Sequence, residues 1–305
     1  MRLNQKTEEH IMKNPNGNSD RIARQYMDRL VVEQRVLGAV TPDARVTFLG
    51  KSFSTPLMGA ALSHLKEGMA GYAEGMRLAN AACCIGMGDN ETLGSCLATG
   101  ASVIKIIKPY ADREEIFSRI RFAEEHGALG VGMDSGHAIK SEAADFDTIV
   151  GCPMKLPTME EIKEYIASTS LPFFLKDILS VQDAVIAKEI GAAGVIISHH
   201  HDLMHWACPP VYLLKEIRKA VGDDFLVIAD GGIEDGFDAF KALAMGADMV
   251  CVGRALMPPY SSDGPEGIAR TLNTMTDELK SMMYRTCAET VKDIDPSVIH
   301  EAWWL

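Results

Sequence analysis

No stretch of this 305-residue chain holds about 18 consecutive apolar residues, the length that a membrane-spanning helix needs. Positive charge is scarce as well: 30 Lys and Arg stand against 42 Asp and Glu, a formal net charge of −12. That balance argues against nucleic acid or an anionic membrane as the main partner. Cysteine is sparse and odd in number, seven, without a CxxC pair, and Cys83-Cys84 and Cys251 lie inside apolar runs. Buried thiols in a reducing cytoplasm fit this usage better than a disulfide framework or a redox pair. The opening MRLNQKTEEH lacks the apolar segment of a secretory leader. Hydrophobic content of 47% with 24% charged residues is ordinary for a globular protein with a sizeable core. A soluble cytoplasmic protein acting on a small molecule is the expectation.

What is present is a rhythm. Residues 1 to about 35 are polar, with KNPNGNSD as a breaker and SDRIARQYMDRL as a capped helix. RVTFLGKSFSTP reads as a hairpin around Gly50-Lys51. From Pro56 onward, apolar strand candidates recur at 56–61, 82–87, 102–107, 129–133, 172–176, 194–198, 225–229 and 249–252. Amphipathic stretches of helical period lie between them, such as 112–126, 158–168 and 180–190. EEHGALG, KEIGAAG and ALAMGAD put glycine where helices stop. A doubly wound sheet uses about five or six strands, whereas a (β/α)8 TIM barrel needs all eight. The barrel is therefore expected over 56–285, in a single domain with an N-terminal helical and hairpin extension (1–55) and a tail (286–305).

Chemistry in such a barrel gathers where the strands end. Asp134, Lys176, Ser198-His199-His200-His201, Asp230-Gly231-Gly232 and Gly253-Arg254 all fall at such ends. The last two loops suit a phosphate, because glycine N–H groups approach an anion closely and Arg254 adds a charge-assisted contact. Tight turns alone would also explain the glycines. Lys176 follows the apolar PFFL, where an ammonium costs desolvation unless an anion or an ion pair with Asp134 meets it. A lysine beside a phosphate site suggests a cofactor whose head gains negative charge, as reduced FMN does. Asp134 is placed to orient a histidine from strand six, or else caps a turn.

LPFFLKDILSVQDAVIAKEIGAAGVIISHHH and DGGIEDGFDAFKALAMGADMVCVGR resemble the FMN-dependent 2-hydroxy-acid oxidase/dehydrogenase family, the group of glycolate and lactate oxidases. RVLGAVTPDARVTFLGKSFSTPLMGAAL resembles its opening hairpin and first strand, and ELKSMMYRTCAETVKDI its closing helix, so the likeness spans 35–295. The resemblance implies a set of roles. Lys176 would stabilise the reduced flavin. Gly232, Gly253 and Arg254 would hold the FMN phosphate, with Ser198, Asp230 and Gly231 beside them. Gly59, Ala60, Ala61 and Gly86 would contact the ring system. His200 would be the base that takes a hydroxyl proton, with Asp134 as its partner, while the substrate carbon delivers hydride to the flavin. A homo-oligomer, a tetramer in the family, is also implied, and Trp303-Trp304 are candidates for its contact.

Departures from the family pattern bear on the substrate. Leu203 stands where the family has an arginine that clamps the substrate carboxylate, and Lys140 is the one cation in SGHAIKSEAADFD, the loop that holds the family's second arginine. Glu234 replaces a phosphate arginine, and IKIIKPY puts Lys105 or Lys108 near the flavin. FMN binding survives these changes, while a simple 2-hydroxy acid as substrate is weakened. His199, His200, His201, His205 and Cys208 also allow a metal reading. Adjacent histidines on an extended strand end point in opposite directions, which favours one catalytic His200 and no metal. His199 and His201 would then shape the pocket or bind an anionic group, with Lys105, Lys108 and Lys140 as further substrate contacts. The alternatives are a flavin-dependent isomerase of the type 2 isopentenyl diphosphate kind, and a non-flavin nucleotide barrel related to IMP dehydrogenase using Cys208.

Overall fold

The computed structural model describes residues 17–62, 65, 68–141, 143–201 and 203–304; the polar stretch 1–16 lies outside them. The first helix, α1 (Ser19–Arg29), starts where the Asn18 side chain accepts from the Arg21 N–H. Strand β1 (Leu30–Val32) pairs antiparallel with β14 (Ile299–Glu301), tying the two ends of the described chain together. Strands β2 (Val46–Phe48) and β3 (Lys51–Phe53) form the expected hairpin, with Leu49 and Gly50 in left-handed conformation.

The barrel strands follow as β4 (Leu57–Leu62), β5 (Ala82–Ile85), β6 (Ser102–Ile107) and β7 (Gly130–Asp134). A two-residue ribbon, β8 (Thr148–Ile149) with β9 (Cys152–Pro153), decorates the long segment after β7. Then come β10 (Phe173–Ile178), β11 (Gly194–Ile197), β12 (Leu226–Asp230) and β13 (Met249–Val252). All eight run parallel in chain order, and β13 pairs back onto β4, closing the sheet. This is the (β/α)8 TIM barrel that the strand rhythm called for.

After α2 (Met69–Leu78) and α3 (Asn90–Ala98), the helix expectations at 112–126, 158–168 and 180–190 meet α4 (Arg113–Glu125), α5 (Met159–Ala167) and α6 (Val181–Glu189). Each start has a local cause. The side chains of Asp112, Thr158 and Ser180 accept from the N–H groups of Glu114, Glu161 and Asp183. Thr158 and Glu161 complete a capping box.

Strand alternation sorts the core into two layers. Met58, Cys84, Ile104, Ile106, Phe174, Ile196, Ile228, Met249 and Cys251 fill the barrel interior. Leu57, Cys83, Val103, Ile107, Val131, Leu175, Val195, Val227 and Val250 face the helices. Phe48 and Phe53 of the hairpin join the inner layer, with Phe48 and Phe174 rings 6.3 Å apart, and so plug the end where the strands begin. Burying each such side chain contributes about 1.5–3 kcal/mol. The opposite end is left for chemistry. Among the described residues no helix is long and apolar enough to cross a membrane.

Candidate active site

A cavity of about 650 Å³ opens at the C-terminal ends of the strands. Its walls come from Ala60 and Ala61 of β4, Lys176 of β10, Ser198 to His201 after β11, Asp230 at the end of β12 with Gly231 and Gly232 after it, and Gly253 and Arg254 after β13, with α1 adding Asp20 and Arg24. Gly231 and Gly232, which line the cavity, hold φ of 113° and 76°, backbone that a side chain resists. Most of the residues expected to bind cofactor are thus brought together.

A dense charge cluster lies beside this cavity. The Lys108 ammonium is 2.5 Å from Asp134 Oδ2 and 2.6 Å from His137 Nδ1. The Lys176 ammonium is 2.9 Å from Asp134 Oδ1, 2.7 Å from Asp177 Oδ1 and 3.0 Å from His200 Nδ1. Burial by itself would raise Asp134, but Lys176 and Lys108 hold it well below the usual carboxylate range. Burial opposes the charge on Lys176, yet Asp134, Asp177 and Asp230 hold its pKa above the ordinary value. Burial and the Lys108 charge push His137 down to about 3, so its ring is neutral. Its Nδ1 then accepts from Lys108, which leaves the hydrogen on Nε2.

His200 takes a different partner from the one expected. Its Nδ1 lies 2.9 and 3.0 Å from the two Asp177 oxygens, against 3.6 Å from Asp134 Oδ1. Asp134 is held between the two lysines instead. Asp177 escaped the sequence reading because strict alternation sends it to the face opposite Lys176. The β10–β11 register slips between Lys176 and Ile178, and Asp177 sits in that irregularity with φ 67°. A bulge of this kind re-aims one side chain. His137 was also missed; it follows Asp134 by three residues in a loop with no periodic signal.

The histidine run is not extended. His200 and His201 adopt φ of 48° and 60°, and the described residues between 201 and 206 form turns and bends rather than a helix. The turn directs His200 to Asp177 while His199 and His201 both approach Asp20, each at 3.8 Å. Asp134, His137 and His200 offer ligand atoms within 4.8 Å of one another. The Lys108 ammonium, bonded to two of these three residues, already supplies a positive charge there.

At the phosphate end, Arg254 forks onto Asp20 at 2.7 and 2.8 Å. Arg24 grips Asp238 at 2.5 and 3.0 Å and reaches the Gly232 carbonyl at 3.3 Å, pinning α1 to the glycine loop. Glu234 also lines the cavity, largely exposed and with a carboxylate oxygen 3.9 Å from Arg24. Ser198 donates to Asp230 at 3.0 Å and accepts from the His200 N–H at 3.0 Å, linking the two loops.

Several candidates fall elsewhere. Lys105 belongs to the helix-facing row of β6 and donates to the carbonyls of Gly86 and Gly88 at 2.7 and 3.1 Å, so it does not line the cavity. Strand parity explains this, since Ile104 and Ile106 are the inward residues. Lys140 is exposed and paired with Asp145 at 2.8 Å. A Cβ on Gly59 would meet the Tyr72 hydroxyl at 2.6 Å, and one on Gly86 the Ala61 carbonyl at 2.9 Å; both serve close packing.

The residues present fit a phosphorylated flavin. The volume lies within the range of about 300–1,000 Å³ usual for small-molecule sites. His199 lines the cavity with its side chain 1% exposed, and neither ring nitrogen has a hydrogen-bond partner among the described residues. Buried polar atoms of this kind are normally satisfied, here by whatever fills the cavity.

The family model described as FMN-dependent dehydrogenase matches residues 134–301. This chain belongs to that family. It is 28% identical to glycolate oxidase 3 of Arabidopsis thaliana over 324 residues, covering 92% of this chain and 87% of that protein. Against 4-hydroxymandelate oxidase of Amycolatopsis orientalis it is 37% identical over 198 residues, 63% of this chain and 55% of that one. A crystal structure of a mandelate oxidase superposes with a TM-score of 0.81 at 26% identity, covering 92% and 90% of the two chains. The protein is thus an FMN-dependent oxidoreductase of the 2-hydroxy-acid oxidase family, and FMN is its cofactor. The isomerase and the non-flavin barrel lose ground to this finding, and Cys208 does not line the cavity.

Proposed function

We propose that this FMN-dependent dehydrogenase family member oxidises the CH–OH group of a small molecule to a carbonyl, with His200 as the base. The observation that carries the reading is the contact of His200 Nδ1 with both oxygens of Asp177. A carboxylate there calls for the hydrogen on Nδ1, which leaves the Nε2 lone pair to accept a proton. FMN, when bound, supplies the hydride acceptor. His200 takes the hydroxyl proton as the carbon-bound hydrogen departs with its electron pair. Lys176, kept charged by its carboxylates, supplies fixed positive charge at the cavity wall. Gly232, Gly253 and Arg254 would hold the phosphate, and Ala60 and Ala61 would floor the ring system.

Purified protein should be yellow, release FMN on denaturation and bleach anaerobically with its substrate. His200→Ala should keep the flavin and lose the bleaching. A variant that still turned over would remove the base assignment.

The reading extends to a single domain working as a homo-oligomer in the cytoplasm. The exposed Trp303 and Trp304 support an interface, and seven free cysteines suit a reducing compartment. Sedimentation analysis of wild type against Trp303→Ala/Trp304→Ala tests the first point.

A further inference from the structure

We propose that this site takes a hydroxy compound whose neighbouring carbonyl is uncharged, a 2-hydroxy amide, ester or ketone, in preference to a 2-hydroxy carboxylate. The inference rests on the flavin reading above. Its basis is the charge balance beside the base. The two ammonium groups there, Lys108 and Lys176, have side chains 1% and 4% exposed, and each is already matched to a buried carboxylate, Asp134 for the first, Asp134 and Asp177 for the second. Two ammonium groups and two carboxylates thus balance one another. The other cations that line the cavity are Arg21, Arg24 and Arg254, supplied by α1 and the loop after β13, and Arg24 is bonded to Asp238. Arg254 is forked onto Asp20, Lys140 is outside and paired with Asp145, and Lys105 is turned to backbone carbonyls on the helix side.

A substrate carboxylate would arrive beside the base as a third anion with Asp134 and Asp177, exchanging part of its hydration for repulsion. A neutral carbonyl meets no such penalty. It needs one hydrogen-bond donor, and the His137 ring, which carries an N–H, has its centroid 4.3 Å from that of His200. Asp177 is therefore a specificity-determining residue: placed by its bulge against Lys176, it neutralises an ammonium that would otherwise attract an acid. The reaction balances as above. The hydroxyl proton passes to His200, the C–H bond breaks with its electrons going to FMN, and the carbon–oxygen double bond forms.

The test uses FMN-loaded protein and matched pairs: lactamide with lactate, mandelamide with mandelate, and the unreactive benzamide with benzoate. Anaerobic bleaching should be at least about tenfold faster with each amide than with its acid, a gap of about 1.4 kcal/mol. Benzamide, and not benzoate, should perturb the flavin spectrum. Asp177→Asn leaves Lys176 undercompensated, so the acid-to-amide rate ratio should rise about tenfold and benzoate should begin to bind, whatever the absolute rate. Wild-type protein bleached equally fast by the acids, binding benzoate as tightly as benzamide, or silent to every probe would overturn the proposal. The wild-type comparison needs no substitution, so a variant that fails to fold does not remove the test. Protein that binds no FMN would count against the flavin reading instead.

Discussion

Asp177 and His200 face each other carboxylate to imidazole, 2.9 and 3.0 Å apart at Nδ1, and both hold left-handed backbone with φ of 67° and 48°. Such backbone costs on the order of 1–3 kcal/mol per non-glycine residue and persists only where surrounding contacts enforce it. Lys176, bonded to one partner and 3.0 Å from the other, provides part of that enforcement. Two of the eight described non-glycine residues with positive φ are thus the pair that the proposed proton transfer requires.

Asp177→Asn should lower the rate of anaerobic flavin reduction by about 100-fold, the scale of a mispositioned general base. FMN affinity should stay unchanged, as measured by fluorescence titration. A rate equal to wild type would leave the His200 tautomer to some other group.

Asp134→Asn should destabilise the protein by about 3–5 kcal/mol, because two buried ammonium groups lose the carboxylate between them. Urea unfolding of the single variant beside the Asp134→Leu/Lys108→Met pair checks this. The double variant should recover much of the loss, since removing both partners leaves one fewer uncompensated charge. Equal stability of the single variant and wild type would contradict the ion-pair account.

Lys105 makes stability depend on pH. Burial, with Arg119 nearby, lowers its native pKa to about 7, while an unfolded chain keeps the proton up to about 10.4. Between these values the unfolded state binds more protons, so raising the pH favours the native state, by up to about 1.4 kcal/mol per unit. Chemical unfolding from pH 7 to 9 should show a rising contribution in wild type that Lys105→Gln flattens. Parallel curves would mean that the native lysine holds its proton throughout.

Arg254→Met should weaken FMN about 10- to 100-fold, the loss of a charge-assisted pair, and leave riboflavin almost unaffected. Asp20→Asn should act in reverse, because the carboxylate forked onto Arg254 competes with a phosphate for the same guanidinium. Titration with both flavins reads the two effects. Equal weakening of FMN and riboflavin by Arg254→Met would move the phosphate elsewhere.

Periodicity along the chain carried most of the architecture. Apolar runs bounded by glycine and by capping residues such as Asp112, Thr158 and Ser180 determine where strands and helices lie, because local hydrogen bonding and burial set them. Lys176, Asp230, Gly232 and Arg254 were legible for the same reason: each sits where a strand must end. The pairing of those side chains was not. One slipped register at Asp177 reverses the face that alternation assigns, and a left-handed turn at His200 meets it there. Asp20 reaches Arg254 from 234 positions away along the chain. Charge partners of this kind depend on distances that only the closed barrel and its docked helix create, so tertiary structure alone decided which carboxylate holds His200 and which carboxylates hold the lysines.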